Sequence, residues 1–459
     1  MNNCINQYYR CPESFVDISQ RGSLSENKGY FRFGEEIVYG RCSGLRLSDS
    51  PGAKLEDALQ ATTRAGQEII LPFDLDEVVD NLRCERYKRH SPRHTAMQAT
   101  LASAYYFVRP ILPVAVRKHL QKVRLRNWDK LSFPKWPVDR TVDELLENLL
   151  LTSMRAHSLD SLPFIWFWPD GASSCAVMTH DVETALGRDF CSQLMDMNDS
   201  FQIKSSFQVV PEKRYSVSPA YIDSIKRRGF EVAVQDLNHD GHLFRERKEF
   251  LSRAAKINSY RHQYGAEGFR AAVLYRNQDW YDKLDFAYDM SVPNVAHLDP
   301  QRGGCCTVMP YFIGDILELP VTTTQDYSLF HILNDHSLDL WKQQAELIMQ
   351  KHGLMNFIIH PDYIMETEEK NTYRALLAYL ADLRRDKNVW IPLPLEVNRW
   401  WRDRANMKLV ETGDGWQIEG QGCERARIAY ASEQDGRMVF SWEPRVSAHV
   451  SARVPGSRS

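Results

Sequence analysis

The sequence predicts an α/β protein built around a deformed (β/α)7-type barrel, with a mixed, partly helical N-terminal extension and a small C-terminal β appendage. Two observations predict the barrel. From about residue 160, short apolar runs typical of buried strands alternate with segments of helical periodicity. About seven such units in about 240 residues favour a closed barrel over an open sheet, which the alternation by itself also allows. We therefore expect an extension at 1–160, a barrel at 161–404 and an appendage at 405–459.

The extension starts with irregular, glycine-rich sequence over residues 1–90 and contains a basic segment at 114–126. In that segment apolar residues recur at helical spacing, and the basic residues fall mostly between them. We favour a helix that packs on its own domain with its basic side chains in solvent. The alternative is a helix that makes weak contact with an anionic membrane surface. Further along, Thr141 and Glu144 have the spacing of a capping box that opens a helix.

The elements of the barrel follow in order. The expected strands are the apolar runs 175–178, 206–210, 230–234, 268–273, 316–321, 355–359 and 389–391. The expected helices are 190–198, 220–228, 246–264, 338–350 and 372–385. After residue 404, three short β-like segments separated by glycine-rich turns form the appendage.

The overall composition excludes several classes of function. A net charge of −3 over 459 residues gives no electrostatic case for a nucleic-acid partner. The nine cysteines are odd in number and scattered, which favours reduced thiols in a cytosol over a disulfide framework. The first residues lack the basic start and apolar core of a secretory signal, and no apolar run approaches the ~20 residues that span a bilayer. We expect a cytoplasmic protein.

Groups that bind metal or move protons lie in or after the predicted strands: Asp181, Glu183, Gln235, His239, Arg270, Glu318 and His360. Because the carboxyl ends of parallel strands meet at one end of a barrel, we expect these groups around one mouth. Two carboxylates as close in sequence as Asp181 and Glu183 can divide labour, one binding a cation and the other accepting a proton. The competing interpretation of this pair is a polar turn whose acids cap the next helix.

Four stretches within about residues 165–400 resemble motifs of the polysaccharide deacetylases of carbohydrate esterase family four. They are Thr179-His-Asp-Val-Glu183, Phe230-Glu-Val-Ala-Val-Gln-Asp-Leu-Asn-His239, Gly268-Phe-Arg270 and Asn356-Phe-Ile-Ile-His360. Members of that family have a deformed (β/α) barrel and use a divalent metal to remove acetyl groups from N-acetylated sugars. The resemblance implies the same fold, a bound Zn²⁺ or another divalent cation, and an N-acetylated carbohydrate as substrate.

The resemblance also implies roles for the matching residues. The catalytic residues it implies are Asp181 as general base, Arg270 as the group that orients it, and His360 as general acid. The metal ligands it implies are Glu183, His239 and Gln235.

Two of these positions depart from the family pattern. Gln235 replaces the first histidine of the second motif, and Glu183 stands where the family usually has aspartate. A glutamine carbonyl is a neutral, weaker ligand than imidazole and suits hard cations better than Zn²⁺. His242 is a candidate substitute for the missing histidine, although a histidine on a solvent-facing loop is the simpler interpretation.

Further candidates stay open. His180 and Glu318 are candidates for contact with the metal ligands or with substrate. The fourth motif of the family is an Asp-Trp pair, and three acids are candidates for it: Asp289, Asp299 and Asp315.

Two functions of different class fit these features. The first is metal-dependent deacetylation of an N-acetylated sugar, for which a cytosolic location favours a precursor of a surface polysaccharide. The second is a catalytically impaired protein of the same fold that binds carbohydrate or acts as a scaffold. In that case Gln235 marks the position of a metal ligand that has been lost.

Overall fold

The computed structural model describes residues 4–90, 125, 127–413 and 415–444. Of the predicted basic helix at 114–126, all but Leu125 lies outside the described residues. Among the helices that the structure describes, none is both long and apolar enough to cross a membrane. All nine cysteines are described, and each is a free thiol.

The extension contains short strands and helices that pack on the barrel. In the part of the extension that the structure describes, the α-helices are α1 (Cys4–Tyr9), α2 (Leu75–Arg83) and α3 (Thr141–Ala156). Its strands are β1 (Ile18–Gln20), β2 (Gly29–Phe33), β3 (Glu36–Gly40), β4 (Thr63–Ala65) and β5 (Glu68–Leu71). Strand β5 pairs with β1 in parallel and with β4 antiparallel, while β2 and β3 form a hairpin.

Helix α3 begins where the sequence predicts, but the predicted capping box does not form. Thr141 is the first helical residue, and Arg140 before it makes no capping hydrogen bond through its side chain. The carboxylate of Asp139 instead accepts the backbone N–H of Thr141 at 2.8 Å. An aspartate just before a helix can satisfy a free N–H of the first turn as well as a threonine can.

The barrel sheet carries the predicted alternation of strands and helices. Its strands are β7 (Ser174–Val182), β8 (Ser206–Val209), β9 (Glu231–Gln235), β10 (Gly268–Arg270), β11 (Tyr288–Asp289), β12 (Tyr311–Ile313), β13 (Ile316–Glu318), β14 (Leu354–Ile359) and β15 (Val389–Trp390), preceded in the chain by β6 (Leu162–Ile165). The helices are α4 (Ala185–Ser200), α5 (Pro219–Arg227), α6 (Arg247–Tyr264), α7 (Asp339–Met349), α8 (Thr367–Lys387) and α9 (Pro394–Asn406).

The sheet curls in the order β12-β13-β11-β10-β9-β8-β7-β14, and β15 pairs with the start of β7. Neighbouring strands run parallel except β12 and β13. Between the segment after β13 and strand β14, hydrogen bonds from side-chain hydroxyls to backbone carbonyls replace a regular ladder of backbone hydrogen bonds. The hydroxyl of Thr322 donates to the carbonyl of Leu354 at 2.6 Å, and that of Thr323 donates to the carbonyl of Asn356 at 2.8 Å. The result is the deformed barrel that the sequence predicts.

Two predicted strands are too long, and one of them, the run 316–321, is a strand only over Ile316–Glu318. The apolar run 268–273 is a strand only as far as Arg270, because the chain then enters a tight turn. Val273 and Leu274 both have positive φ, 58° and 52°. This left-handed conformation is incompatible with a strand.

Within residues 405–413 and 415–444 the C-terminal segment has four strands in place of the three expected: β16 (Lys408–Thr412), β17 (Gly415–Glu419), β18 (Ile428–Gln434) and β19 (Arg437–Ser441). Strands β16 and β17 form a hairpin, whereas β18 pairs with both β19 and β6. Apolar residues of the extension, β6, β7, α9 and the appendage share one core cluster. The division of the chain at residues 160 and 404 stays a prediction.

Candidate active site

Strand β7 places Asp181 inside the barrel mouth. Asp181 is 4% exposed and accepts hydrogen bonds on both carboxylate oxygens. Nη1 of Arg270 donates to Oδ1 at 2.7 Å, and Nε2 of Gln235 donates to Oδ2 at 3.1 Å. Because β7 lies between β8 and β14 in the sheet, its carboxyl end is close to the ends of the strands that carry the other predicted residues. The predicted general base therefore has a fixed orientation and an ionic partner.

Arg270, at the end of β10, fixes that orientation. Its guanidinium is fully buried, and Nη1 also donates to the hydroxyl of Thr179 at 2.9 Å. Nε donates to the backbone carbonyl of Met290 at 3.0 Å. A guanidinium anchored at two further points cannot follow Asp181 if that side chain moves, so it holds the carboxylate in one position.

Glu183 is the centre of the cluster. Its Oε1 lies 2.7 Å from Nε2 of His239 and 3.4 Å from Nε2 of His360. Burial by itself raises the pKa of Glu183, but the two imidazoles outweigh it and hold that pKa well below 4.5. The potential ligand atoms of Asp181, Glu183 and His360 all lie within 4.8 Å of one another, close enough to hold one metal ion.

His239 reaches the cluster from the turn after β9. Its backbone is left-handed, with φ of 54°, which directs the residue back toward the strand end. Burial lowers the pKa of the imidazole, while Glu183 opposes this and leaves that pKa above 6.5. The predicted pairing of His239 with Glu183 is therefore present in the structure.

Gln235 is the last residue of β9 and lies between the two carboxylates. Its Nε2 donates to Oδ2 of Asp181 and to Oε1 of Glu183, both at 3.1 Å. Its Oε1 is buried and has no hydrogen-bond partner. Rotation of the amide would direct this oxygen toward the carboxylates, where a cation would have to be present to offset the repulsion.

The donor set therefore fits a divalent cation. Glu183 and His239 supply a carboxylate and an imidazole, and the unpartnered amide oxygen of Gln235 is a third donor. Carboxylate, imidazole and amide oxygen are accepted by Zn²⁺ and by harder divalent cations.

Asp326 is the residue that the sequence analysis missed. Its Oδ1 lies 2.6 Å from Nδ1 of His360, and its Oδ2 accepts the backbone N–H of His360 at 2.6 Å. Burial lowers the pKa of His360, but Asp326 and Glu183 together raise it well above 6.5. The imidazole is therefore held in its charged, proton-donating form. The sequence contained a signal for this residue, because Asp326 is followed by the aromatic Tyr327, which resembles the Asp-Trp pair of the fourth motif.

Of the three acids considered for the fourth motif, two have other side-chain partners and the third lies in a turn. Asp289 accepts the hydroxyl and the N–H of Ser291, and Asp299 accepts Nε2 of Gln325. Asp315 lies in the turn between β12 and β13. None of the three contacts His360 through an interaction that the structure describes.

His180 faces away from the cluster, because successive side chains of a strand alternate between its two faces. Nδ1 lies 3.2 Å from the carbonyl of Ile359, and Nδ2 of Asn198 donates to Nε2 at 3.0 Å. Burial lowers its pKa to about 3. His180 is thus a neutral imidazole that packs the barrel wall against α4.

His242 and Glu318 also lie outside the cluster. The imidazole of His242 is partly exposed, with Nδ1 3.8 Å from Oδ2 of Asp240. Glu318 is buried on β13, where it accepts the N–H of Val292 at 3.0 Å. Burial and the neighbouring Asp289 raise the pKa of Glu318 well above 4.5. Neither residue replaces the missing metal histidine in this structure.

Comparison with known proteins gives matches only among solved structures. No protein-family model and no curated protein matches the sequence. A protein of Mycobacterium smegmatis classed as a polysaccharide deacetylase matches with a TM-score of 0.42 and 18% identity, over 52% of this chain and 93% of that one. An allantoinase matches with a TM-score of 0.42 and 11% identity, over 51% of this chain and 92% of that one. A protein of Pseudomonas aeruginosa classed as a polysaccharide deacetylase matches with a TM-score of 0.41 and 10% identity, over 51% of this chain and 93% of that one. The chain is similar in fold to polysaccharide deacetylases.

Proposed function

We propose that this protein is a metal-dependent hydrolase that removes the acetyl group from an N-acetylated sugar. One observation carries the proposal. The carboxylate of Asp181, held by Arg270, and the imidazole of His360, held by Asp326, lie in one cluster with Glu183, with potential ligand atoms within 4.8 Å of one another. A fixed base and a fixed acid beside a metal-binding group are the groups that metal-assisted amide hydrolysis uses.

Each residue has a definite part in this proposal. Glu183, His239 and Gln235 would hold the cation, which when bound supplies a Lewis acid for the amide carbonyl and its attacking water. Asp181 takes the proton of the attacking water, since its hydrogen bond to Arg270 holds it in one orientation. His360 donates its Nε2 proton to the departing sugar amine, because Asp326 holds Nδ1 and stabilises the charged ring.

The substrate class is part of the proposal. An N-acetylated sugar in a precursor of a surface polysaccharide agrees with the motif resemblance. The half-buried rings of Tyr327 and Tyr363 support a carbohydrate partner. The ring of Tyr363 lies 4.7 Å from that of His360, and that of Tyr327 lies 5.7 Å from Tyr363, so both are near the point of reaction. Aromatic side chains beside polar groups suit the mixed surface of a sugar.

The experiment is to measure bound metal and acetate release for the full chain and two variants. Asp181→Asn should retain metal and lose acetate release, because it removes the base and leaves Glu183 and His239 in place. His239→Ala should lose both. The matched controls are Asp240→Asn and His242→Ala, which change the same residue types in the loop after β9 but outside the cluster. If the parent binds no divalent metal and releases no acetate from any N-acetylated sugar tried, the hydrolase proposal is wrong.

A second function is favoured by the amide of Gln235. Its Nε2 donates a hydrogen bond to one oxygen of Asp181 and one oxygen of Glu183, so these two oxygens have a partner without any cation. A protein of this kind would bind an N-acetylated sugar without turnover. Sugar binding by a parent that contains no metal and releases no acetate would support this alternative.

A further inference from the structure

A buried ion pair connects the extension to the loop after β10. Glu85 follows helix α2, and its Oε2 accepts Nε of Arg276 at 2.7 Å while its Oε1 pairs with Nη2. Both side chains are almost completely buried, at 2% and 1% exposure. A two-point pair between a guanidinium and a carboxylate fixes direction as well as distance. The position of Arg276 therefore depends on the extension.

Arg276 in turn fixes a strained backbone. Its Nη1 donates to the carbonyl of Leu274 at 2.8 Å, and its own N–H donates to Oε1 of Gln301 at 2.9 Å. Leu274 and the preceding Val273 are the two left-handed, non-glycine residues of this loop. Consecutive residues of this kind are unfavourable unless the surrounding structure holds them in place.

The same loop supports the candidate site at several points. It begins one residue after Arg270, which orients Asp181. A side chain at Gly241 would begin 3.3 Å from the ring of Tyr275 and 3.9 Å from Val273, so the turn that carries His239 packs closely on this loop. Leu274 also packs with Ile358 of β14, which is two residues before His360.

We infer that Glu85 is a positioning residue for the active site, acting through Arg276 and the loop 271–277 on Arg270 and on the turn of His239. This gives the N-terminal extension a role in the geometry of a site to which its described residues contribute no catalytic group. The inference reaches beyond the proposed function, and only the turnover measurement below rests on that function.

The test is hydrogen–deuterium exchange of the full chain, comparing the parent with Glu85→Gln. The matched control is Glu36→Gln, a second buried carboxylate of the extension, whose partner Lys135 lies 2.8 Å away within the extension itself. In Glu85→Gln we expect amide exchange in segments 236–243 and 271–277 to rise at least about tenfold, with strand β7 unchanged. In Glu36→Gln both segments should keep the parent's rates.

Two further measurements complete the test. If Glu85→Gln does not fold, Arg276→Lys replaces it, because lysine keeps the charge but cannot reach Glu85 and the carbonyl of Leu274 together; the same rise in exchange is expected. In a parent that releases acetate, kcat of either variant should fall at unchanged KM, since the site is misaligned and the substrate contacts remain. Parent-like exchange in both segments of a folded variant overturns the inference. If the parent shows no turnover, only the proposed function is wrong. The hydrogen-exchange result still decides whether Glu85 positions the active site.

Discussion

The carboxylate of Asp326 contacts His360 at two points, the backbone N–H and Nδ1 of the imidazole, each at 2.6 Å. The ring can therefore neither rotate nor lose its positive charge easily. Its Nε2 is directed toward Glu183.

Replacing Asp326 by asparagine should lower acetate release by about 10- to 100-fold, as loss of a partner behind a functional imidazole commonly does. Asp326 and Glu183 raise the pKa of His360, so removing the charge of Asp326 lowers that pKa. A general acid works only below its pKa, and the descending, high-pH limb of the kcat/KM profile should move to lower pH. Asp299→Asn, a buried aspartate with a different partner, is the control and should leave the limb in place.

Gln235→His should tighten the binding of Zn²⁺ by about tenfold or more, because an imidazole is a stronger ligand than an amide oxygen. The change also removes the amide N–H group that hydrogen-bonds both Asp181 and Glu183. Titration calorimetry with Zn²⁺ and Mn²⁺ measures the effect. Gln235→Asn serves as the control, since it keeps an amide and adds no imidazole. Equal affinities for the parent and Gln235→His would show that residue 235 is not a ligand.

The buried carboxyl of Glu231 should make stability fall between about pH 4.5 and 7. Burial raises its pKa from 4.5 to about 7, while its oxygens accept the Tyr288 hydroxyl and the Leu395 N–H. In this range the folded state retains a proton that the unfolded chain has lost, so the free energy of unfolding decreases as pH rises. The total is on the order of 3 kcal/mol.

Urea unfolding of Glu231→Gln at several pH values checks this prediction. Other buried acids titrate in the same range, so the quantity to compare is the slope of stability against pH in parent and variant. The slope should become shallower in Glu231→Gln and stay the same in Glu419→Gln, which changes an exposed glutamate. Identical slopes of stability against pH in the parent and in Glu231→Gln would contradict the prediction.

Thr322→Val should destabilise the barrel by about 1–3 kcal/mol, the usual result of leaving buried polar groups without partners. The hydroxyl of Thr322 donates to the carbonyl of Leu354 and accepts the N–H of Asn356, at 2.6 and 2.9 Å. Valine has nearly the same shape, so packing is retained and only the hydrogen bonds are lost. Denaturant unfolding measures the change. Thr152→Val removes a hydroxyl from the surface of α3 and should have a much smaller effect.

Several parts of the site could be predicted because they depend on short stretches of chain. An apolar run that ends in polar residues marks the end of a buried strand wherever that strand lies in the fold. Asp181, Gln235, Arg270 and His360 were found in this way, and the parallel sheet then brings them together. The same pattern placed His180 and Glu318 near the strand ends, but it could not tell which face of the sheet each side chain would occupy.

The parts that could not be predicted depend on residues far apart in the chain. Asp326 meets His360 across 34 residues, and Glu85 meets Arg276 across 191. No local periodicity links such partners, because their contact is set by the packing of whole elements. The hydroxyl contacts that replace a ladder beside β14 are of the same kind.

The sequence by itself determined seven of the nine barrel strands, most of the barrel helices and the residue types at those strand ends, since these follow from local pattern and backbone preference. Only the tertiary structure decided which acid supports His360 and that Gln235 hydrogen-bonds both carboxylates. It alone decided that the extension contacts the loop beside Arg270. The physical reason is that a buried polar group must find its partner in space, and any segment that packing brings close can supply it.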